Sequence, residues 1–166
     1  TRGSRAYHEF TTRYNVYYNA EKMYQEILDQ QLESFLEDYS RLLPYSPGLP
    51  DTAKSTTGGP FNAVIDKTEN AIREHSISAK PRRDPSRPGS PEYRQWLQQN
   101  EFNPFIHRAW LLMGKARVQN GDHEQALSVF NEAIRVFGPE SGTADEARLW
   151  MAQAYISMGR QYEAEQ

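Results

Sequence analysis

Residues 109–126 read AWLLMGKARVQNGDHEQA, and residues 147–164 read ARLWMAQAYISMGRQYEA. Ala109, Gly114, Ala116, Gly121 and Ala126 of the first stretch return 38 residues later as Ala147, Ala152, Ala154, Gly159 and Ala164. The apolar residues follow the helical period. Ile106, Ala109, Trp110, Met113 and Ala116 fall on one face, and Gly121 ends that helix. Asp122 with Gln125 is a candidate cap for a second helix carrying Ala126, Val129, Phe130, Ala133, Ile134 and Phe137. Thr143 with Glu146 is a candidate capping box for a third, in which Ala147, Trp150, Met151 and Ala154 face inward. Small residues at Gly114 and Ala126 let two antiparallel backbones approach, while Trp110 and Phe130 fill the space between them.

This arrangement resembles the tetratricopeptide repeat, a helix pair with large residues set against small ones and a glycine at the turn. The first copy carries Trp110-x2-Met113-Gly114, Gly121-Asp122, Ala126-x3-Phe130, Ala133 and Pro139. It departs from the pattern at Arg117, where an aromatic is usual, and in its spacing. The second copy supplies that aromatic as Tyr155 but has Arg148 where the first has Trp110. It stops at Gln166 inside its second helix. Since a repeat cannot bury its outer face without a neighbour, the chain reads as part of a longer protein.

Working outward, Pro and Gly punctuate the chain at residues 44–60, 78–91 and 138–142. From Thr12 to Leu43 the apolar positions Tyr14, Tyr17, Tyr18, Tyr24, Ile27, Leu28, Leu32, Phe35, Leu36, Tyr39, Leu42 and Leu43 keep helical spacing. That predicts one long helix, or a hairpin folded near Gln30. Residues 60–75 predict a second helix with Phe61, Val64, Ile65, Thr68, Ala71 and Ile72 on one face and Pro60 at its start. Ser90-Pro91-Glu92 is a third start signal, opening a short helix that should bury Tyr93, Trp96 and Leu97. No segment alternates for long with a period of two. The expected fold is all-α: tetratricopeptide-repeat-like hairpins with a divergent, aromatic-rich N-terminal helical cap. The expected organisation is an N-terminal helical region (1–77), a basic Pro-rich linker (78–91) and the repeats (92–166).

The 166 residues are 37% hydrophobic, 12% aromatic and 25% charged, with a net charge of −3 and no cysteine. The longest unbroken apolar run, Ala109 to Met113, is far short of the ~20 residues that span a bilayer. Without cysteine there is no disulfide, thiolate metal site or cysteine nucleophile in this stretch. The acidic balance argues against nucleic acid as the main partner. His8, His75, His107 and His123 are scattered, with no pair at the four-residue spacing of a helical zinc site, so each reads as a surface or capping histidine and no metal is expected. Gly58-Gly59 lacks the Lys-Ser/Thr of a phosphate loop. No nucleophile, base and orienter come together, so neither enzymatic activity nor a cofactor is expected.

Beyond the repeat, the whole chain resembles the SprE/PorW family, tetratricopeptide-containing lipoproteins of the Bacteroidetes type IX secretion and gliding machinery. The stretches that carry the resemblance are Phe10-Thr11-Thr12-Arg13-Tyr14-Asn15, Tyr17-Tyr18-Asn19-Ala20, Asp38-Tyr39-Ser40-Arg41-Leu42-Leu43-Pro44, Lys67, Ala71-Ile72 and His75-Ser76-Ile77. They continue through the basic Lys80-Pro81-Arg82-Arg83-Asp84-Pro85-Ser86, Ser90-Pro91-Glu92-Tyr93 and Glu101-Phe102-Asn103-Pro104-Phe105 into the first repeat. The resemblance implies a non-catalytic part of an outer-membrane machine, anchored as a lipoprotein on the periplasmic face. It would join the periplasmic ring to the outer-membrane translocon by protein contacts. The anchoring cysteine would precede Thr1.

Repeats of this kind, as the resemblance implies, receive partners in a groove lined by the first helix of each pair. The candidate partner-binding residues there are Arg108, Leu111, Lys115 and Gln119, then Leu149, Gln153 and Ser157. Arg82 and Arg83 of the basic strip are further candidates, since Arg forks suit an acidic partner surface. Asp51-Thr52-Ala53 resembles a site at which Bacteroidetes glycosylate exported proteins. The alternative reading is a glycan-binding helical-repeat outer-membrane lipoprotein of nutrient uptake, with Tyr14, Tyr17, Tyr18 and Trp96 stacking on sugar rings. That reading requires at least two of those rings to be open to solvent.

Overall fold

The computed structural model describes residues 2–34, 59–81 and 89–165. The described residues are helical and contain no strand: α1 (Arg2–Thr11), a π turn (Thr12–Tyr17), α2 (Tyr18–Ser34), α3 (Asn62–His75), α4 (Pro91–Trp96), α5 (Ile106–Gln119), α6 (His123–Phe137), α7 (Gly142–Ser157) and α8 (Gln161–Ala164). The all-α reading holds.

The N-terminal helix begins at Arg2, ten residues before the expected Thr12, and runs through the π turn to Ser34 without a hairpin at Gln30. Periodicity missed its start because the inward residues of the first turns, His8 and Thr12, are polar. The apolar positions from Phe35 to Leu43 lie outside the described residues, as do most of the Pro-rich loop at 44–60 and residues 82–88 of the linker.

α3 buries the face its sequence predicts: Phe61, Val64, Ile65, Thr68 and Ala71 are closed to solvent and Ile72 is half-buried. Pro60 lies in the turn before the first helical residue, with Asn62 N–H donating to Gly59 O at 3.1 Å. Thr68 returns its hydroxyl to the carbonyls of Val64 and Ile65, which makes a buried Thr affordable inside a helix. α4 starts at the expected Ser90 cap, whose Oγ accepts from Tyr93 N–H at 3.2 Å. Tyr93, Trp96 and Leu97 are half-buried rather than buried; among the described residues Tyr93 stacks on Trp96, and Trp96 packs on Phe102.

α3 packs on the π turn, α2 and α5; α5 in turn packs on α6 and α7. One core cluster therefore joins Ala20, Tyr24, Phe61, Val64 and Ile65 to Leu112, Met113 and Ala116. A second joins Leu111, Val118, Ala126, Leu127 and Phe130 to Ala147 and Ala154. The N-terminal helix and α3 thus sit against α5 much as another helix pair would. At the α5–α6 crossing, a Cβ on Gly114 would overlap the fully buried ring of Phe130. Trp110 is half-buried and packs instead toward α3.

Two predicted caps are corrected. Asp122 precedes α6 without a side-chain cap bond; Gln125 accepts from Arg117 instead. The cap of α7 is Ser141, whose Oγ accepts from Ala144 N–H at 3.2 Å, and not Thr143. Glu146 is thereby free to leave its own helix end.

Candidate docking groove

The first helix of each pair faces a common hollow. A cavity of about 400 Å³ lies between the π turn with α2, α5 and α7, its walls including Tyr17, Glu21, Arg108, Leu111, Lys115 and Glu146. α5 and α7 supply two of its walls and the N-terminal helix the third.

Each wall has a physical cause. Tyr17 stands on the π turn with its ring edge-on to Phe105 at 5.3 Å between centroids. Burial, and then the hydrogen bond and charge of Glu21, push the Tyr17 hydroxyl up to about 12, against the opposing pull of Arg108. The phenol therefore stays protonated at any physiological pH, set between the Glu21 carboxylate and the Arg108 guanidinium. Lys115 bonds Glu146 across the α5–α7 gap at 2.6 Å, and its ammonium lies 5.4 Å from the Trp150 ring centre. At 24% and 43% side-chain exposure this pair is partly shielded, so it fixes the width of the hollow more than an open surface pair would. His107 donates its Nδ1–H to Pro104 O at 2.9 Å, and burial holds its pKa below the usual histidine value. The walls thus carry cations at Arg108 and Lys115, carboxylates at Glu21 and Glu146, and an aromatic hydroxyl: a mixed polar surface suited to a peptide backbone and its side chains.

The expected groove residues divide. Arg108 is exposed at the mouth, its guanidinium 5.7 Å from the Phe105 ring centre. Lys115 is engaged with Glu146 as described. Leu111 does not face away from the packing: at 3% exposure it belongs to the second core cluster and forms the floor. Gln119 is half-buried near the end of α5 and lies outside the cavity walls, with its side-chain oxygen buried. Gln153 is half-buried, while Leu149 and Ser157 are exposed on α7 outside the cavity walls. Arg82, Arg83 and the Asp51-Thr52-Ala53 stretch lie outside the described residues. Sequence reasoning missed Tyr17, Glu21, Thr143 and Glu146 as groove walls, because which helices border one hollow depends on the α2–α5 and α5–α7 packing rather than on any local spacing.

A second polar centre was also missed. His8 and His75, 67 residues apart, meet with Nδ1 to Nδ1 at 3.0 Å. His75 is buried, contrary to the surface reading, and its pKa is lowered by burial and then by His8. Around this contact Thr12 donates to His8 O at 2.6 Å, and Asn103 donates to Thr12 Oγ1 at 3.1 Å and to His75 O at 2.9 Å. Glu101 accepts from Ile77 N–H at 2.7 Å, from Asn103 N–H at 2.8 Å and from the Ser76 hydroxyl. The network pins α1 and the end of α3 to the loop entering α5. Among the described residues no group of three or more His, Asp or Glu could hold a metal ion, and no described helix is long and apolar enough to cross a membrane.

With this geometry in place, comparison with known families gives one result: the tetratricopeptide repeat family matches residues 107–137. The chain carries a tetratricopeptide repeat. The match covers α5 and α6 with their glycine turn, the unit that floors the groove, and such repeats are typical of non-catalytic protein–protein interaction domains. No curated protein and no solved structure gives a significant match to the chain.

Proposed function

We propose that this chain is a non-enzymatic scaffold that receives a segment of a partner protein in the groove between the N-terminal helix, α5 and α7. We further propose that the partner belongs to the type IX secretion machinery, and that the protein links the periplasmic ring to the outer-membrane translocon from the periplasmic face of the outer membrane. The observation that carries the docking role is the hollow itself: three first helices converge on about 400 Å³ of open, mixed-charge space over a tetratricopeptide repeat. What supports the choice of machine is the resemblance in Phe10–Ala20, His75–Ile77 and Glu101–Phe105. These stretches carry the π turn and the polar network that set the N-terminal wall.

The test is capture of subunits from a Bacteroidetes envelope by the unmodified chain and by a chain carrying Arg108→Glu and Lys115→Glu. Arg135→Glu, on exposed α6 surface, serves as the control. The proposal expects ring or translocon subunits with the unmodified chain and the control, and their loss with the groove pair. Equal recovery with all three would remove the groove from the account.

The glycan reading keeps one supporting observation, since Tyr14 and Tyr18 are 57% and 61% exposed. The other two rings do not join them. Tyr17 is half-buried against Phe105, and Trp96 is stacked on Tyr93 with Arg5 at 5.1 Å from its ring centre. Two open rings meet the minimum that reading requires, but Tyr17 and Trp96 turn to other neighbours, so the four rings do not form one platform. Glycan-array binding by the unmodified chain, lost on Tyr14→Ala with Tyr18→Ala, would restore that reading.

A further inference from the structure

The outer face of the N-terminal helix is an aromatic ridge. Tyr7, Phe10, Tyr14 and Tyr18 are between 57% and 64% exposed and follow one another at steps of three, four and four. In an α-helix each four-residue step carries a side chain about 40° further round the axis. The π turn at Thr12–Tyr17, with its wider i to i+5 bonding, offsets that drift and keeps Phe10, Tyr14 and Tyr18 in line. The same correction brings His8, Thr12, Val16, Ala20 and Tyr24 to the inner side, where each is buried or half-buried. One backbone feature sets both the core face and the ridge opposite it.

The ridge is uncharged. Its neighbours on the outer face are Ala6, Thr11, Asn15 and Asn19, the two amides bonded to each other at 3.2 Å, and the first charge along its line is Lys22, one turn beyond Tyr18 and paired with Glu26. Aromatic enrichment with depletion of charge is the composition of an interface centre. Four such side chains at this exposure offer on the order of 500 Å² per copy. Two ridges face to face would cover about 1,000 Å² from the rings alone, the lower bound for a specific interface.

The spacing is self-complementary. Turned end for end about a point near residue 12, the ridge sets Phe10 against Tyr14 and Tyr7 against Tyr18. In an antiparallel twofold pair, like flanks meet. Glu9 and Arg13 share one flank, with a midpoint one residue away, so Glu9 of each copy comes opposite Arg13 of the other. Among the described residues Arg13 meets rings and not carboxylates: its guanidinium lies 5.1 Å from the Tyr14 centre and 5.7 Å from that of Phe105. Stacked so, it stands beside the ridge already placed.

We propose that the ridge of Tyr7, Phe10, Tyr14 and Tyr18 is a dimerisation surface for a second copy of this chain, packed antiparallel about a twofold axis near residue 12 with reciprocal Glu9–Arg13 ion pairs. The groove over α5 and α7 plays no part in it, so this inference and the scaffold reading stand or fall separately.

Sedimentation equilibrium of the whole chain across a concentration series tests it. The unmodified chain approaches twice the monomer mass. Phe10→Glu with Tyr14→Glu stays monomeric while its helical circular dichroism is kept. Glu9→Arg alone and Arg13→Glu alone each weaken self-association at least about tenfold, since like charges then meet. Mixed in equal amounts, those two single variants pair with each other, because every charge on one rim again faces its opposite. The mixing arm separates an antiparallel contact between copies from any effect on one chain's own stability. A monomer at every concentration, a dimer indifferent to the Phe10/Tyr14 change, or mixed variants that fail to pair each overturns the proposal. If the monomeric chain instead binds anionic vesicles or a glycan through these rings, the ridge has another occupant and the proposal is wrong.

Discussion

Leu111 and Leu149 occupy the same place in two copies of one motif, 38 residues apart, and their fates differ completely: Leu111 is 3% exposed and Leu149 is 69% exposed. The backbones agree closely. Gly121 and Gly159 both adopt positive φ, at 80° and 72°, where only glycine is unstrained. The closing bonds repeat as well, Asp122 N–H to Arg117 O at 2.9 Å and Arg160 N–H to Tyr155 O at 2.8 Å. Ala109 and Ala147 are both fully buried, as are Ala116 and Ala154. What differs is the company. α5 has α3 on one side and α6 and α7 on the other, whereas the outward side of α7 carries no comparable neighbour among the described elements. The motif sets the local backbone and the inner small residues; burial of the rest is a property of the stack.

That contrast can be broken most strongly at the α5–α6 crossing. Phe130→Ala removes a fully buried ring that fills the space over Gly114, and should lower unfolding free energy by about 3–5 kcal/mol in urea denaturation. A loss under about 1 kcal/mol would mean that the crossing is loosely packed. The paired leucines come next. Leu111→Ala should cost about 2–5 kcal/mol, and Leu149→Ala should stay within about 0.5 kcal/mol of the unmodified chain. Equal costs would erase the difference between the copies.

Asn120 sharpens the comparison at a single atom. Its Oδ1 accepts from Phe61 N–H at 3.0 Å and its amide donates to Asn62 at 2.7 Å, while the equivalent position in the second copy is Met158. Asn120→Ala leaves a buried backbone N–H without a partner and should cost about 1–3 kcal/mol. Met158→Ala should cost less, because no polar group depends on it.

The smallest effect is a pH dependence at the α1–α3 junction. Burial and the nearby His8 imidazole hold the His75 pKa below its ordinary value. Below the unfolded pKa of roughly 6.5 the unfolded chain therefore takes up protons more readily than the folded one. Stability should fall as pH drops through and below that value, and should be complete above it. His107 and His123, lowered mainly by burial, act in the same direction. Glu74 opposes the shift at His75 only in part. The check is the urea midpoint at pH 7.5 against pH 5.5, with His8→Asn expected to reduce the difference. A midpoint that rises on acidification would contradict the sign.

Much of the fold was legible from residues. Steps of three and four marked α3, α5, α6 and α7, because their inner faces are mostly apolar. The Ser90-Pro91-Glu92 signal placed α4 because cap chemistry is local. The start of the N-terminal helix was illegible, since its inner row of His8 and Thr12 satisfies hydrogen bonds instead of burying carbon. Thr143 looked like a cap because a Ser/Thr followed three residues later by Glu is common to caps and to chance, and only the backbone showed Ser141 in that role. The groove was half legible. Arg108 and Lys115 could be named from the outer face of one helix, whereas Tyr17 and Glu146 reach it from helices whose approach depends on packing between distant segments.

The most direct test of the docking role is site-specific photo-crosslinking in the envelope, with a photoreactive residue in place of Gln25 or Thr143 on the groove walls and in place of Glu132 on α6. The account predicts crosslinks to a secretion-machine subunit from both groove positions and none to that subunit from Glu132. Crosslinks to it from Glu132 alone, or from none of the three while the protein is folded in place, would contradict it.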